Sequence, residues 1–258
     1  MSVRERLFEI KELNISQNLM IISDAQLYEY TNLLNTFVEN FPDQEQKLRA
    51  AVEANSIPSI SKRLSDLRNM LMEISADKLA GDCWEQLSAL KGANPKKIAA
   101  YINYLLSMLA ALSIDIQMAI FIRDGEAETP AAEETYYDLN KVKIILAVDD
   151  ETFSLEMLKA ALKGVSCRII GAASSADALN ILKTQKPDLF VLDIEMPEIN
   201  GIELAKMIRG TGQIAPILFV TGNATKCYVE QAIATGAADF IIKPINPQSA
   251  RERIGKFL

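Results

Sequence analysis

The chain changes its hydrophobic period once. Up to about residue 123, apolar side chains recur at helical spacing. Leu27, Tyr30, Leu33, Leu34, Phe37, Val38 and Phe41 form one series, which Leu48, Ala51 and Val52 extend. Ile60, Leu64, Leu67, Leu71 and Ile74 form the next. Steps of three and four place each series on one helical face, and no strand-like alternation interrupts them. Pro42 falls inside the first series and is expected to kink or restart its helix. Asn55-Ser56-Ile57-Pro58 breaks the pattern, with Ser59 placed to help start the next helix. Ser75-Ala76-Asp77 is a turn into Leu79, Cys83, Leu87 and Leu90. Lys91-Gly92-Ala93-Asn94-Pro95 ends that helix with glycine and opens the last one, from about Lys96 to Ile122, with proline. Short turns between helices favour antiparallel neighbours, so residues 1–123 are expected to form an all-α, up-and-down bundle.

Residues 124–141 are acidic, small and broken by Gly125 and Pro130, the composition of a linker between domains. Beyond them the pattern alternates. Apolar runs at Val142 to Val148, Cys167 to Gly171, Leu189 to Leu192, Ile214 to Val220 and Phe240 to Ile242 read as strands. Helical stretches separate them, and a final helix starts at Pro247. Near-continuous apolar strands alternating with helices specify an α/β domain over 142–258, with a parallel sheet covered on both faces.

Composition removes several classes of chemistry. The 258 residues contain no histidine, which excludes His-based triads, His metal sites and phosphohistidine. Cys83, Cys167 and Cys227 lie far apart and suit buried thiols in a reducing cytoplasm, not a zinc site or a disulfide framework. The formal charge of −7 argues against a nucleic-acid surface spread over the whole molecule. Arg4, Glu5, Arg6, Glu9 and Lys11 interrupt any signal-peptide core. Tyr104 to Ile122 is apolar enough to resemble a membrane span. However, Asn103, Ser107, Ser113 and Gln117 recur on one side at helical spacing, and Asp115 would be costly in lipid. A buried bundle helix with a polar stripe is the better reading, with no membrane.

The α/β half carries the candidate chemistry at its strand ends. The first strand ends in Val148-Asp149-Asp150-Glu151, the third in Asp193, the fourth in Val220-Thr221-Gly222-Asn223 and the fifth in Ile242-Lys243-Pro244. In a parallel sheet these carboxyl ends share one edge, where ligands of open α/β sheets bind. Crowded carboxylates repel one another unless a cation joins them, and an oxygen-only set suits Mg²⁺. A hard cation beside a carboxylate, a lysine and a hydroxyl is equipment for phosphoryl transfer. Asp193 is inferred to be the nucleophile that forms an acyl phosphate. Asp149 and Asp150 would hold the metal, and Lys243 and Thr221 would take phosphoryl oxygens. Taken singly, Asp150 or Glu151 could cap a helix, Thr221 could simply end a strand, and Lys243 could be a solvated charge.

These motifs resemble the receiver domain of two-component response regulators over about Lys141 to Leu258. They are Ile145-Leu146-Ala147-Val148-Asp149-Asp150-Glu151, Asp193-x-x-Met196-Pro197-x-x-x-Gly201, Val220-Thr221-Gly222, and the run from Gly236 through Lys243 to Pro244. The resemblance implies a flavodoxin-like five-stranded sheet of order 2-1-3-4-5 and a cis bond before Pro244. It implies Mg²⁺ held by Asp149, Asp150, Asp193 and the backbone carbonyl of Glu195. It implies a phosphodonor that is a sensor histidine kinase or a phosphotransfer protein. It also implies a switch in which Thr221 moves toward the phosphoryl group and Phe240 turns inward. Glu195 and Asn223 stand where the family varies, at positions governing access of the hydrolytic water.

Residues 33–87 are similar to a histidine phosphotransfer domain through Leu33-Leu34-x-x-Phe37, the long helix ending near Ala54, and Arg63-Leu64-Ser65-Asp66-Leu67-Arg68-Asn69. Ser65 takes the histidine's place, so the phosphotransfer chemistry is absent. An unrelated four-helix bundle shares the same period and stands beside this reading. The expected role is a protein-binding module gated by phosphorylation, acting on a separate protein partner, by intramolecular docking or as a homodimer. The competing roles are DNA binding through Lys62 to Arg68, whose acidic and apolar flanks disfavour it, and an enzymatic output, for which the helical half shows no phosphate loop, ligand cluster or activated nucleophile.

Overall fold

In the computed structural model the chain forms two compact units. Residues 2–15, 22–89, 94–121, 142–222 and 225–258 are described, with main chain alone at 86–89. The segment expected as a linker, 124–141, and Asn223 lie outside the described residues.

The first unit is helical: α1 (Val3–Phe8), α2 (Asp24–Glu53), α3 (Ile57–Glu73), α4 (Asp77–Ala89) and α5 (Pro95–Phe121). α2 packs on α3 and α5, α3 on α4, and α1 on α5. The buried faces are those the period marks: Leu34, Phe37, Val38, Phe41 and Leu48 on α2, and Ile60, Leu64, Leu67 and Leu71 on α3. Leu33, counted in the same series, points outward.

Pro42 does not restart the helix. α2 is continuous for 30 residues. A proline removes one hydrogen bond of the helical ladder, and buried Phe37, Val38, Phe41 and Leu48 hold the helix on either side of the gap. Its N-terminus is fixed by a capping box between Ser23 and Gln26. The cap of α3 is Ser56 rather than Ser59, with no side-chain bond to the helix backbone; its hydroxyl bonds Ser59 instead.

The polar residues of α5 do not share one environment. Ser113 and Gln117 are fully buried and bonded to each other at 3.4 Å, while Asn103 is exposed and accepts from Arg49 Nη1 at 3.1 Å. Long enough and apolar enough to cross a membrane, α5 has 56% of its apolar window buried within the protein. Arg6 of α1 is also buried, and its Nε donates to the carbonyl of Ala119 at 2.8 Å.

The second unit is β1 (Lys143–Val148), α6 (Thr152–Ala161), β2 (Cys167–Ala172), α7 (Ser175–Leu182), β3 (Leu189–Asp193), α8 (Gly201–Gly210), β4 (Ile217–Thr221), α9 (Lys226–Ala234), β5 (Ala237–Ile242) and α10 (Pro247–Gly255). The sheet is wholly parallel, in the order β2-β1-β3-β4-β5. Successive side chains serve opposite faces. Ile145, Ala147, Val191, Leu218, Val220 and Ile241 meet Leu158 and Leu162 of the α6 side and Ala250 and Ile254 of α10. On the other face, Phe219 and Phe240 pack with ring centroids 6.0 Å apart. β4 starts three residues later than its apolar run. Arg209 Nη1 donates to the carbonyls of Gln213 and Ala215, which fixes that stretch as loop and leaves Ile214 exposed.

Candidate functional site

Register brings the polar strand ends together. Val148 is level with Leu192, Asp193 with Val220, and Thr221 with Ile242. The next residue out on β1 is Asp149, and the next on β5 is Lys243. The β3–α8 turn closes against this edge. Gly201 is essential to that closure, because a Cβ there would lie 2.0 Å from the carbonyl oxygen of Asp193. Asn200 then caps α8 with a capping box to Glu203.

Asp149, Asp150 and Asp193 each offer a carboxylate oxygen, and these lie within 4.8 Å of one another. Asp149 and Asp193 are buried, while Asp150 is exposed. Asp149 Oδ1 accepts the backbone N–H of Glu151 at 2.9 Å, and Asp193 Oδ1 accepts that of Glu195 at 3.2 Å. Each buried aspartate is therefore oriented by its own loop, leaving Oδ2 aimed at the shared space. Lys243 Nζ donates to Asp193 Oδ2 at 2.8 Å and forms an ion pair with Asp149 Oδ2 at 3.1 Å. Asp149 Oδ2 accepts no hydrogen bond of good geometry, so that buried oxygen has charge compensation without a directed partner.

The electrostatics follow from this crowding. Burial pushes the Asp193 carboxyl up to about 6; the Asp149 charge adds to the rise, and the Lys243 ammonium opposes it. Burial alone would lower the Lys243 ammonium, but its hydrogen bond to Asp193 and its ion pair with Asp149 outweigh that and hold it well above the usual lysine range. A half-buried set of three close carboxylates with one ammonium retains negative charge. Its donors are all hard oxygens, with an under-coordinated buried oxygen among them. That composition fits a divalent cation of the Mg²⁺ type.

The other expected residues fall as follows. Thr221 is fully buried at the end of β4, and its carbonyl accepts the N–H of Lys243 at 2.8 Å. Phe240 lies inward, at 1% exposure. The peptide bond before Pro244 is cis. Glu151 is the N-cap of α6 but makes no side-chain cap bond. Its carboxylate instead accepts from Ser154 Oγ at 3.2 Å and lies 3.6 Å from Lys243 Nζ. The Glu195 side chain reaches Gly222, where a Cβ would come 3.3 Å from its Oε2. Neither the Ser154–Glu151 pairing nor the seating of Glu195 on Gly222 is legible in sequence. The only signal was Ser154 three residues after Glu151. Ser65 is half-buried on α3, in the other unit.

Residues 145–255 match the response regulator receiver domain family. The chemotaxis protein CheY of Thermotoga maritima is 36% identical over 115 residues, which cover 44% of this chain and 96% of that protein. The alkaline phosphatase synthesis transcriptional regulatory protein PhoP of Bacillus subtilis is 34% identical over 116 residues, or 45% of this chain and 48% of PhoP. The chain thus spans about half the length of PhoP. Among solved structures, the chemotaxis response regulator CheY4 of Vibrio cholerae aligns over 46% of this chain and all of its own, at 27% identity and a TM-score of 0.43.

Through its α/β unit the chain belongs to the response regulator receiver family. It carries the receiver domain of a two-component response regulator, a domain of phosphorylation-based signalling.

Proposed function

We propose that Asp193 accepts the phosphoryl group, and that the modified receiver controls a protein–protein interaction made by the helical unit. The observation that carries the first part is the junction of Asp149, Asp150, Asp193 and Lys243 at one sheet edge, with Asp193 Oδ2 under the ammonium at 2.8 Å. A carboxylate oxygen of Asp193 forms the new P–O bond as the P–N bond of a donor phosphoimidazole breaks. The bonding electron pair leaves with the imidazole nitrogen, which takes a proton from solvent. Asp149, Asp150, Asp193 and the carbonyl of Glu195 would hold Mg²⁺, which when bound supplies positive charge to the phosphoryl oxygens. Lys243 moves its ammonium from Asp193 Oδ2 to a phosphoryl oxygen, freeing the attacking lone pair. Thr221 gives a hydroxyl to another oxygen. In the switch, Thr221 moves and the buried Phe240 ring repacks with it, biasing a two-state equilibrium.

On this reading the chain divides into a helical domain over 1–123, a linker over 124–141 and the receiver over 142–258. The helical half is read as an interaction module because two of its three basic candidates between Lys62 and Arg68 are already engaged. Arg63 pairs with Asp66 at 3.4 Å, and Arg68 lies over the exposed Trp84 ring at 5.2 Å. That leaves little for phosphate contacts on nucleic acid. Ser65 has no imidazole to relay a phosphoryl group, so a phosphotransfer-like role for this half would be limited to binding. Free thiols at Cys83, Cys167 and Cys227 suit the cytoplasm.

Intact-mass measurement with Mg²⁺ and acetyl phosphate tests the first step. One phosphoryl group should be gained by the wild type and none by Asp193→Asn. No gain with acetyl phosphate, and no binding of beryllofluoride, would refute it. Gating is tested by partner affinity with and without beryllofluoride, where equal affinities would sink it.

A further inference from the structure

A second cluster of charge lies at the opposite edge of the sheet, where strands begin. Arg209 lies in the last turn of α8, Ala215 in the loop before β4, and Gly236 directly before β5. Between α8 and α9 is a cleft of about 390 Å³ lined by Lys206, Arg209, Gln231, Ala234 and Thr235. Its lining contains no carboxylate.

The guanidinium of Arg209 has five N–H donors. Nη1 uses both of its own, on Gln213 O at 3.0 Å and Ala215 O at 2.7 Å. Nη2 makes one long contact to Gly236 O at 3.5 Å. Nε–H and the remaining Nη2–H have no protein acceptor among the described residues. Nε and Nη2 share one edge of the guanidinium fork, the geometry that matches two oxygens of a carboxylate or phosphate. Gly236 flanks that edge. A Cβ there would lie 3.8 Å from Nε and 4.0 Å from Nη2, and the residue's φ of +81° disfavours any side chain.

Every acceptor Arg209 has is a backbone carbonyl, so its charge is solvated without being neutralised. No acidic side chain pairs with Arg209 or Lys206 among the described residues. Burial lowers the Arg209 pKa, the direction expected of a cation lacking a counter-ion. Lys206 lies three residues earlier, on the same face of α8. Gln231 on the facing helix uses one amide hydrogen on Cys227 Sγ at 3.2 Å and keeps the other. The result is two positive charges and a neutral donor around a cleft, in a chain whose formal charge is −7.

We propose that this cleft binds an oxyanion, a phosphate or carboxylate group, held side-on by Nε and Nη2 of Arg209, with Lys206 supplying the second charge. The site is separate from the acidic edge and does not depend on Asp193. The test is an NMR titration of the full chain without Mg²⁺ and at constant ionic strength. Inorganic phosphate, acetate and chloride are compared, reading the Arg209 Nε–H resonance and the amides of Gln231 and Thr235. Phosphate or acetate should give a saturable shift, unchanged in Asp193→Asn, and chloride should give none. The tighter of the two identifies the natural ligand as phosphoryl or carboxylate. Lys206→Gln should weaken binding about 5-fold, the size expected of one exposed charge pair. Arg209→Lys should abolish it. If that variant misfolds, the exposed Lys206→Gln decides alone. A response that does not saturate, that chloride reproduces, or that Lys206→Gln leaves unchanged would overturn the proposal.

Discussion

At the scale of single residues, the acidic edge is held by backbone as much as by charge. Gly201 is there because the turn folds back onto the main chain of Asp193, where a methyl group would fall 2.0 Å from a carbonyl oxygen. Gly201→Ala should therefore destabilise the receiver by about 2–3 kcal/mol, as forced overpacking does, and urea unfolding measures it. Asp193 offers a second test. Its folded pKa, about 6, lies above the ordinary value of 3.8. The native state therefore opposes ionisation. This group's contribution to stability is fully present below about pH 4 and is lost as pH rises through 6. Asp193→Asn removes the ionisation while Lys243 keeps its ion pair to Asp149. Without Mg²⁺, the variant should be more stable than wild type at pH 7.5, by on the order of 2 kcal/mol. The gain should disappear near pH 4, and denaturant unfolding at several pH values shows either pattern. The paired aspartates and the lysine were legible in sequence because they directly follow apolar runs. The tether from Ser154 to Glu151 was not, because the same spacing serves ordinary helix caps.

At the scale of elements, helix ends show where periodicity stops informing. α2 and α3 both finish without glycine. Asn55 and Ser75 take φ of +49° and +61°. After them, Ser56 N–H reaches back to Ala51 O and Ala76 N–H to Leu71 O at 2.8 Å, the long bond of a Schellman motif. Asparagine tolerates that conformation better than serine does. Ser75→Gly should raise the stability of the helical unit by about 0.5–1 kcal/mol, seen as a higher thermal midpoint. Elsewhere, β5 is anchored by Asp239, which is buried and accepts from Arg253 at 2.5 Å and Lys256 at 3.0 Å on and just after α10. Asp239→Ala leaves Arg253 without this partner, and about 3 kcal/mol of receiver stability should be lost. The pattern gave both β5 and α10 but could not show that a charge at the strand joins them.

At the scale of the whole molecule, three carboxylates from two strand ends meet at one sheet edge. A ligand that binds the folded state raises stability with its concentration. Millimolar Mg²⁺ should raise the wild-type melting temperature, by about 1.4 kcal/mol of stabilisation at ten times its dissociation constant. Asp149→Asn and Asp150→Asn should each reduce that response. A calorimetric scan series against MgCl₂ measures it, and equal responses in wild type and variants would remove the metal from this site.

The sequence alone determined the two halves, the parallel α/β class and the candidate acidic edge. Each of these follows from local period and from the rule that parallel strands end together. Tertiary structure decided which of the marked residues meet. It carried α2 through Pro42, because packing on both sides outweighed one missing hydrogen bond. It separated Asn103 from Ser113 and Gln117, because bundle packing rather than helical phase sets what water reaches. It brought Lys243 to Asp193 across 50 residues of chain. It also placed the Nε–Nη2 edge of Arg209 beside Gly236, a juxtaposition of a helix end with a distant turn that no spacing along the chain could announce.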